Sequence, residues 1–273
     1  MQTLRSEINK ELSGKKGMYA VAFNDLKTGK KFGLNDHAVF HAASTMKTPV
    51  MIEVYRQAAE GKFSLKDQLE LKNEFKSIVD GSTYSLDPND DSETGLYKHI
   101  GEQRTIDSLL YQMIIVSSNF ATNLIIEKVG ATNVTQYMRQ LGANDIQVLR
   151  GVEDSKAFEK GLNNTITAHD LALIFEKIAK GEAVNETSSK AMINILLDQQ
   201  FNDIIPALLP KDVKVAHKTG SITHVHHDSG IVILPDGRKY VLVLLSKDWE
   251  SEQEAIRTMA NISLMIYNYV IRN

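Results

Sequence analysis

Three short groups of hydroxyl, amide and amine side chains stand in order along the chain. They are Ser44-Thr45-Met46-Lys47, Ser117-Ser118-Asn119 and Lys218-Thr219-Gly220. A serine hydroxyl becomes a strong nucleophile only when a neighbouring base takes its proton. Residues three apart on a helix share one face, so Lys47 should lie beside the Ser44 hydroxyl. This arrangement predicts acyl transfer through a covalent bond to Ser44.

The predicted elements place the three groups at positions that suit such chemistry. Ser44 opens a helix that extends to about residue 60, and Ser117 lies where two predicted helices meet. Lys218 lies on a predicted strand near a sheet edge. Two further matches, Ser13-Gly14-Lys15-Lys16 and Lys27-Thr28-Gly29, have no suitably spaced partners. We interpret them as a solvated helix end and a hairpin turn.

The order of elements predicts an α/β protein of the α+β type. A helix and a hairpin come first, several helices follow, and three strands at 213–219, 230–234 and 239–246 precede a closing helix. Short turns between strands imply antiparallel pairing. We therefore expect a five-stranded antiparallel sheet flanked by helices, formed by residues 1–48 and 200–273. An all-helical lobe of residues 49–199 would be inserted into it, with the site in the cleft between them.

The composition excludes several classes of function. The chain has 273 residues, of which 42% are hydrophobic and 24% charged, so it can bury a large core. Its formal net charge of −3 gives no basic face for nucleic acid, and no apolar run is long enough to span a membrane. It has no cysteine, which excludes thiolate catalysis and disulfides. No metal or organic cofactor is implied.

The three groups and their surroundings resemble the penicillin-recognising serine hydrolases, and in particular the class A serine β-lactamases. The segments Phe40–Lys47, Val116–Leu124 and Ala216–Ser221 carry the resemblance, which extends over nearly the whole chain. It implies a β-lactamase/transpeptidase-like fold. It also implies opening of β-lactam rings through an acyl-enzyme at Ser44.

The resemblance further implies a role for each residue. Lys47 would activate Ser44, and Ser117 would pass a proton to the leaving nitrogen. The backbone N–H groups of Ser44 and Ser221 would form the oxyanion hole. Burial and the second ammonium group, that of Lys218, would lower the pKa of Lys47. The residues expected to bind the substrate are Asn119, Lys218, Thr219, Gly220 and Ser221.

The chain departs from the class A pattern in the segment of residues 150–164. Glu153 is the best candidate there for the base that activates the hydrolytic water, and Glu159 is the second. Glu153 and Asp154 could instead be solvated loop charges. Asn164 stands where an acid would pair with Arg150, so we expect the usual clamp of this loop to be missing.

Two smaller departures lie in the first and second groups. Ser118 stands where the family usually has an aspartate that braces the loop, which puts the rigidity of this loop in doubt. Proline fits a helix without distortion only in the first turn, so Pro49 predicts an irregular helix start or a kink.

Three histidines follow the third group, at His224, His226 and His227. The family often has an arginine in this region that binds the substrate carboxylate, and either His226 or His227 could take its place. A zinc site is disfavoured because the chain offers no cysteine and no strong acidic partner here.

Several functions stay open at this stage. The first is a β-lactamase, and the second is a DD-peptidase-like or esterase-like hydrolase that deacylates slowly. The third is a sensor or binding module that is acylated once, and the fourth is a coincidence of motifs. The expected partner is a β-lactam or peptidoglycan-like small molecule, and the protein is expected to be a monomer. The first residues contain no signal-peptide core, whereas the resemblance implies a periplasmic or secreted location.

Overall fold

The computed structural model describes all 273 residues of the chain. The strands are β1 (Met18–Asp25), β2 (Lys31–Leu34), β3 (Phe40–His41), β4 (Gln68–Glu70), β5 (Phe75–Lys76), β6 (Thr83–Tyr84), β7 (Gln103–Thr105), β8 (Thr165–Ile166), β9 (Lys214–Ile222), β10 (Val225–Ile233) and β11 (Lys239–Lys247). The α-helices are α1 (Gln2–Leu12), α2 (Lys47–Ala59), α3 (Ile106–Ile115), α4 (Asn119–Val129), α5 (Ala131–Leu141), α6 (Ser155–Glu159), α7 (Ala168–Lys180), α8 (Glu186–Leu197) and α9 (Glu252–Arg272). Short 3-10 helices span Ala43–Met46, Pro88–Asp90 and Leu96–His99.

Five strands form one antiparallel sheet in the order β2-β1-β11-β10-β9, as the sequence predicts. Side chains alternate between the two faces of a strand, and β1 illustrates the result. Its Ala20 and Ala22 join a core that continues into the helical region, whereas Val21 and Phe23 join a second core that contains residues of α1 and α9. Both faces of the sheet are therefore covered by helices.

The helix α2 lies at the centre of the helical region. It packs against α3, α4 and α5, and most of its residues are buried. A helix buried on nearly all sides must satisfy its polar groups internally, and Glu53 does so by binding Arg56 and Gln57. The amine of Lys47 is thereby held at the start of a well-fixed element. No helix in the structure is both long and apolar enough to cross a bilayer.

The structure departs from the predicted elements at three places. β10 begins at Val225 rather than at Gly230, because residues 225–229 also pair with β9 and β11, and the polar side chains of His226, His227 and Asp228 are buried there. The predicted all-helical lobe of residues 49–199 also contains the short strand pairs β4–β7 and β5–β6. The segment of residues 150–164 contains the short helix α6.

Candidate active site

The nucleophile candidate Ser44 lies in the 3-10 helix that precedes α2. Ala43 has a φ of +44°, which turns the chain sharply out of β3. Pro49 lies in the first turn of α2, where its missing N–H breaks no helical hydrogen bond. The irregular helix start that Pro49 predicts is present, and α2 proper begins at Lys47 rather than at Ser44. Ser44 is only partly buried and lines the open cleft.

The ammonium group of Lys47 is completely buried and contacts the second group of residues. Its Nζ donates to Ser117 O at 2.7 Å, to Asn119 Oδ1 at 3.0 Å and to Ser117 Oγ at 3.2 Å. Burial lowers the pKa of Lys47 to about 7, and the carboxylates of Asp91 and Glu153 act against this shift. Near neutral pH a substantial fraction of Lys47 is therefore uncharged and able to accept a proton.

Lys218 approaches the same hydroxyl from the sheet. Its Nζ donates to Ser117 Oγ at 3.0 Å and to Thr219 O at 2.8 Å. Burial first, and then the positive charge of Lys47, hold the pKa of Lys218 well below its usual value. A serine hydroxyl accepts two hydrogen bonds and donates one. When both lysines are charged and donate to Ser117 Oγ, the hydroxyl proton of Ser117 stays available to a further acceptor.

Ser117 reaches this position through an unusual backbone conformation. Its φ is +59°, and Ser118 follows as the N-cap of α4, accepting a hydrogen bond from the N–H of Ala121. Ser118 is fully buried, and its hydroxyl lies 3.5 Å from Asp91 Oδ2. Ser118 therefore caps α4 and also contacts Asp91, a residue of the segment that precedes α3.

Asp91 supplies the carboxylate that the second group lacks at position 118. It accepts hydrogen bonds from the N–H groups of Asn119 and Phe120 at 2.9 Å and from Tyr97 Oη at 2.9 Å. A carboxylate at a helix N-terminus binds unpaired N–H groups, and its negative charge interacts favourably with the positive end of the helix dipole. The doubt raised by Ser118 about the rigidity of the loop is thus answered by a residue that the sequence analysis missed. Its only signal was its place in a segment rich in aspartate.

Glu153 lies beside this group, whereas Glu159 does not. Asn119 donates through Nδ2 to Glu153 Oε1 at 3.1 Å while its Oδ1 accepts from Lys47. Partial removal from water raises the pKa of Glu153, as does Asp90, while Lys47 lowers it. Its φ of +62° directs the chain so that the side chain lines the cleft. Glu159 ends α6 on the exposed outer side and does not line the cleft.

The loop of residues 150–164 is closed by hydrogen bonds of Asn164 and Arg150 in place of the usual ion pair, so the loop is held although the acid at position 164 is missing. Asn164 Oδ1 accepts from Leu149 N at 2.8 Å and Arg150 N at 3.2 Å, and its Nδ2 donates to Arg150 O at 3.0 Å. The guanidinium of Arg150 donates to Leu162 O and to Asn163 Oδ1. An amide can both donate and accept, so it replaces the ion pair without a charge.

A second anchor holds the interior of the same loop. Asp154 is buried, caps α6 by accepting from Ala157 N, and accepts from Ser77 Oγ at 2.9 Å and Ile78 N at 3.0 Å. Glu153 is therefore fixed between two anchored neighbours, Asp154 on one side and the Arg150 closure on the other. Its φ and position are set by the loop as a whole.

The third group approaches Ser44 closely because position 220 is glycine. A Cβ added at Gly220 would lie 3.0 Å from Ser44 N and 2.9 Å from Thr45 N. Any larger residue would push β9 away from the nucleophile. Thr219, Gly220 and Ser221 line a cavity of about 350 Å³, which adjoins one of about 630 Å³ that also contains Ser44 and Glu153.

The three histidines have different places in the structure. His227 is fully buried, and its Nε2 lies 3.0 Å from His41 O, so it cannot meet a substrate. His226 lines the cleft opposite Ser221 and lies 3.2 Å from Glu252. His224 lies in the β9–β10 turn with a φ of +57°. Of the two candidates for binding a carboxylate, only His226 has access to the cleft.

Comparisons with known proteins agree with this architecture. A model of the β-lactamase enzyme family matches residues 3–270 of the chain. A β-lactamase of Bacteroides uniformis is 27% identical over 284 aligned residues, which cover 98% of this chain and 91% of that relative. The structure of a β-lactamase from Sphaerobacter thermophilus has a TM-score of 0.83 at 25% identity and covers 100% of this chain and 98% of its own. The structure of PBP-A has a TM-score of 0.86 at 25% identity, and the match covers 100% of this chain and 97% of the PBP-A chain.

The sheet order and the helices inserted between β2 and β9 therefore define a protein with the β-lactamase fold. The chain belongs to the β-lactamase enzyme family, and its curated relatives are named as β-lactamases. It is accordingly a hydrolase of the β-lactamase type.

Proposed function

We propose that this protein hydrolyses β-lactam antibiotics through an acyl-enzyme formed at Ser44. The observation that carries the proposal is the convergence of two buried lysines on one hydroxyl, that of Ser117, next to the cleft that Ser44 lines. The family membership supports β-lactams as the substrate class. A mutant of PBP-A, similar to this chain with a TM-score of 0.86, has been solved as an acyl-enzyme complex with penicillin G.

In the acylation step, the Ser44 hydroxyl attacks the β-lactam carbonyl. Lys47 in its neutral form takes the serine proton, a role that its pKa of about 7 supports. The Ser44 and Ser221 N–H groups stabilise the oxyanion, and such donors are each worth roughly 100- to 1000-fold in rate. Ser117 delivers its proton to the leaving nitrogen as the ring opens and is reprotonated through Lys47. Asn119, Lys218, Thr219, Gly220 and Ser221 orient the substrate.

In the deacylation step, Glu153 activates a water that attacks the ester. A carboxylate with a raised pKa is a better proton acceptor than an ordinary one, and the direction of the Glu153 shift fits this role. Asn119 links Glu153 to Lys47, so one amide couples the groups used in the two steps. The ester C–O bond to Ser44 then breaks, Glu153 returns the proton that it took from the water to Ser44 Oγ, and the oxygen of the water leaves in the carboxyl group of the product.

A second candidate function is a hydrolase that acylates readily but deacylates slowly. In the class A pattern an asparagine four residues after the glutamate helps to hold the water, and here Ala157 occupies that position. Ala157 is fully buried and has no polar side-chain atom. The likeness to PBP-A is compatible with this candidate.

Intact-mass spectrometry during incubation with a penicillin distinguishes these functions. We expect the wild type to show a transient adduct while the free drug disappears, and Ser44→Ala to show neither. Thr48→Ala is a matched control, because it removes a nearby buried hydroxyl without removing the nucleophile. A persistent adduct with little drug loss would favour the slow hydrolase. An adduct that survives in Ser44→Ala would overturn the proposal.

We also propose the setting in which this chemistry takes place. Residues 1–48 and 200–273 would act as one lobe and 49–199 as the other, with the reaction in the cleft between them. The periplasm or the cell exterior is the location that β-lactam or peptidoglycan-like substrates suggest. We propose a monomer as the working unit, with residues from both lobes of the chain lining the cleft.

A further inference from the structure

A cluster of three metal-ligating side chains lies away from the cleft, at the other end of the β3–β8 pair. Asp36, His37 and His169 bring one ligand atom each to within 4.8 Å of one another. The two imidazole rings are stacked with their centroids 4.2 Å apart, and His169 Nδ1 lies 3.8 Å from Asp36 Oδ2. None of the three residues lines the cavities around Ser44.

The backbone around this cluster is held by specific contacts. Asn35 adopts a φ of +49°, and its Nδ2 donates to Tyr19 O at 2.9 Å. The N–H of His169 donates to Asp36 O at 2.8 Å, which joins the segment before β3 to the start of α7. A Cβ at Gly33 would collide with the Asp36 carboxylate, so the glycine leaves room for it. The donors therefore need only side-chain rotation to meet at a common point.

We propose that Asp36, His37 and His169 bind a divalent transition-metal ion of the Zn²⁺ type. Two imidazoles and one carboxylate form a donor set that suits such ions, with bonds of about 2.0–2.2 Å. Tetrahedral bonds of that length place the ligand atoms about 3.4 Å apart. The present separations, up to 4.8 Å, are within reach of small rotations of the exposed His37 and the partly exposed His169. Solvent would complete the coordination.

Metal binding at this site would join the two strands of the β3–β8 pair at one end. Asp36 and His37 precede β3, and His169 follows β8. On the other side of the pair, Ala42 N donates to Asn164 O at 2.8 Å, and Asn164 closes the loop that carries Glu153. The ion therefore acts as a structural clip that stabilises the base of this loop and takes no part in the reaction.

Isothermal titration of the metal-free protein with ZnCl₂, combined with Co²⁺ absorption spectra, tests the site. We expect one ion per chain, and at least about a tenfold loss of affinity in His37→Ala and in His169→Ala. A saturating Zn²⁺ concentration should raise the wild-type Tm by roughly 5 °C. His99→Ala is the matched control, because His99 is also exposed and lies 2.8 Å from the carboxylate of Glu102 but has no second histidine beside it.

The outcomes separate the proposal from adventitious binding. Unchanged affinity and Tm shift in His99→Ala, together with loss in both cluster variants, would support it. Asp36→Asn keeps the shape of the side chain and should also weaken binding, which covers the case that a histidine variant fails to fold. Equal affinity in the wild type and the His37→Ala/His169→Ala double variant would overturn the proposal, as would an equal loss in His99→Ala.

Discussion

The carboxylate of Glu153 is linked through one amide to the ammonium group of Lys47. In the proposed mechanism, this linkage lets a single asparagine contact both the acylating and the deacylating group. Glu153 also has a φ of +62°, which residues other than glycine rarely adopt. Ala43 and Ser117 also have positive φ values, so the site depends on several residues in a backbone conformation that residues other than glycine rarely adopt.

Replacing Glu153 by Gln should slow deacylation without preventing acylation. The amide keeps the size of the side chain but cannot accept a proton from water, and a positioned general base is worth roughly 100- to 10,000-fold. We expect the acyl-enzyme to accumulate in Glu153→Gln when it is followed by intact mass after mixing with a penicillin. Steady-state turnover should fall by a factor in the same range.

Glu159→Gln is the matched control for this experiment. The same change is made six residues along the same loop, at an exposed carboxylate that does not line the cleft. Its turnover should stay within about twofold of the wild type. Normal turnover in Glu153→Gln, or an equal defect in Glu159→Gln, would show that Glu153 is not the base.

At the scale of elements, the start of α4 is held by a residue from a different segment. Asp91 binds two N–H groups of α4 and the hydroxyl of Tyr97, and it is buried. Asn119 is the first residue of α4, so any displacement of this helix moves the amide that contacts both Lys47 and Glu153. The connection from the Pro88–Asp90 turn to α4 is therefore part of the positioning of the site.

Asp91→Ala should lower both the stability and the activity of the protein. It leaves two helix N–H groups without their charged acceptor, which costs roughly 2–3 kcal/mol of unfolding free energy. A shift of Asn119 by a fraction of an ångström should reduce the acylation rate by about 10- to 100-fold. Urea unfolding and stopped-flow acylation by a chromogenic cephalosporin measure the two effects.

Two further variants define the cause of the Asp91 effect. Asp91→Asn keeps one acceptor oxygen and should recover part of both losses. Asp87→Ala removes an exposed carboxylate that caps the nearby 3-10 helix, so it should cost less than about 1 kcal/mol and leave acylation unchanged. If Asp87→Ala lowered the unfolding free energy and the acylation rate as much as Asp91→Ala, the contacts of Asp91 with α4 would have no special role in positioning the site.

At the scale of the whole molecule, the sheet and the nucleophile segment are joined by a buried histidine. The ring of His227 on β10 contacts the carbonyl of His41 on β3, three residues before Ser44, and edge-packs on Phe40. Burial lowers the pKa of His227 to about 4, while the acceptor carbonyls of His41 and His226 act in the opposite direction. The folded state therefore holds this ring neutral, with one nitrogen donating to His41.

Acid should destabilise the protein through His227. In the unfolded chain a histidine has a pKa of about 6.5, so between pH 6.5 and 4 the unfolded state takes up a proton that the folded state does not. The contribution of His227 is complete above pH 6.5 and falls as the pH drops, by about 3 kcal/mol in total at pH 4. Unfolding free energies measured in urea at pH 7.0, 5.5 and 4.5 follow this loss.

His227→Gln isolates the contribution of the histidine from that of the carboxylates. Glutamine can keep the hydrogen bond to His41 but does not titrate, so the variant should lose less stability than the wild type between pH 7.0 and 4.5. His99→Gln changes an exposed histidine and should retain the wild-type pH dependence. Identical pH dependence in His227→Gln and the wild type would contradict the assignment.

Much of the fold and of the site follows from local patterns in the amino-acid sequence. These patterns are helix and strand periodicity, turn residues, and the spacing of Ser44 and Lys47, and each depends only on neighbours along the chain. They predicted the five strands of the sheet and the three polar groups. The turn at Lys27-Thr28-Gly29 is bound by Asp25, as a hairpin interpretation requires. The start of β10 was predicted wrongly because polarity is a poor guide to burial when polar side chains find partners on other elements, as His227 does with His41 and Asp228 with His217.

The contacts that hold the site in place depend instead on residues far apart in sequence. Asp91 is 28 residues from the Asn119 N–H that it binds, and Asn164 closes its loop across 14 residues to Arg150. Neither is recognisable from type and spacing, since many side chains can supply a carboxylate or an amide once the chain brings them near. The residue types therefore indicate the chemistry, while only the folded chain selects which acceptor meets each unpaired N–H, because that choice depends on distance in space.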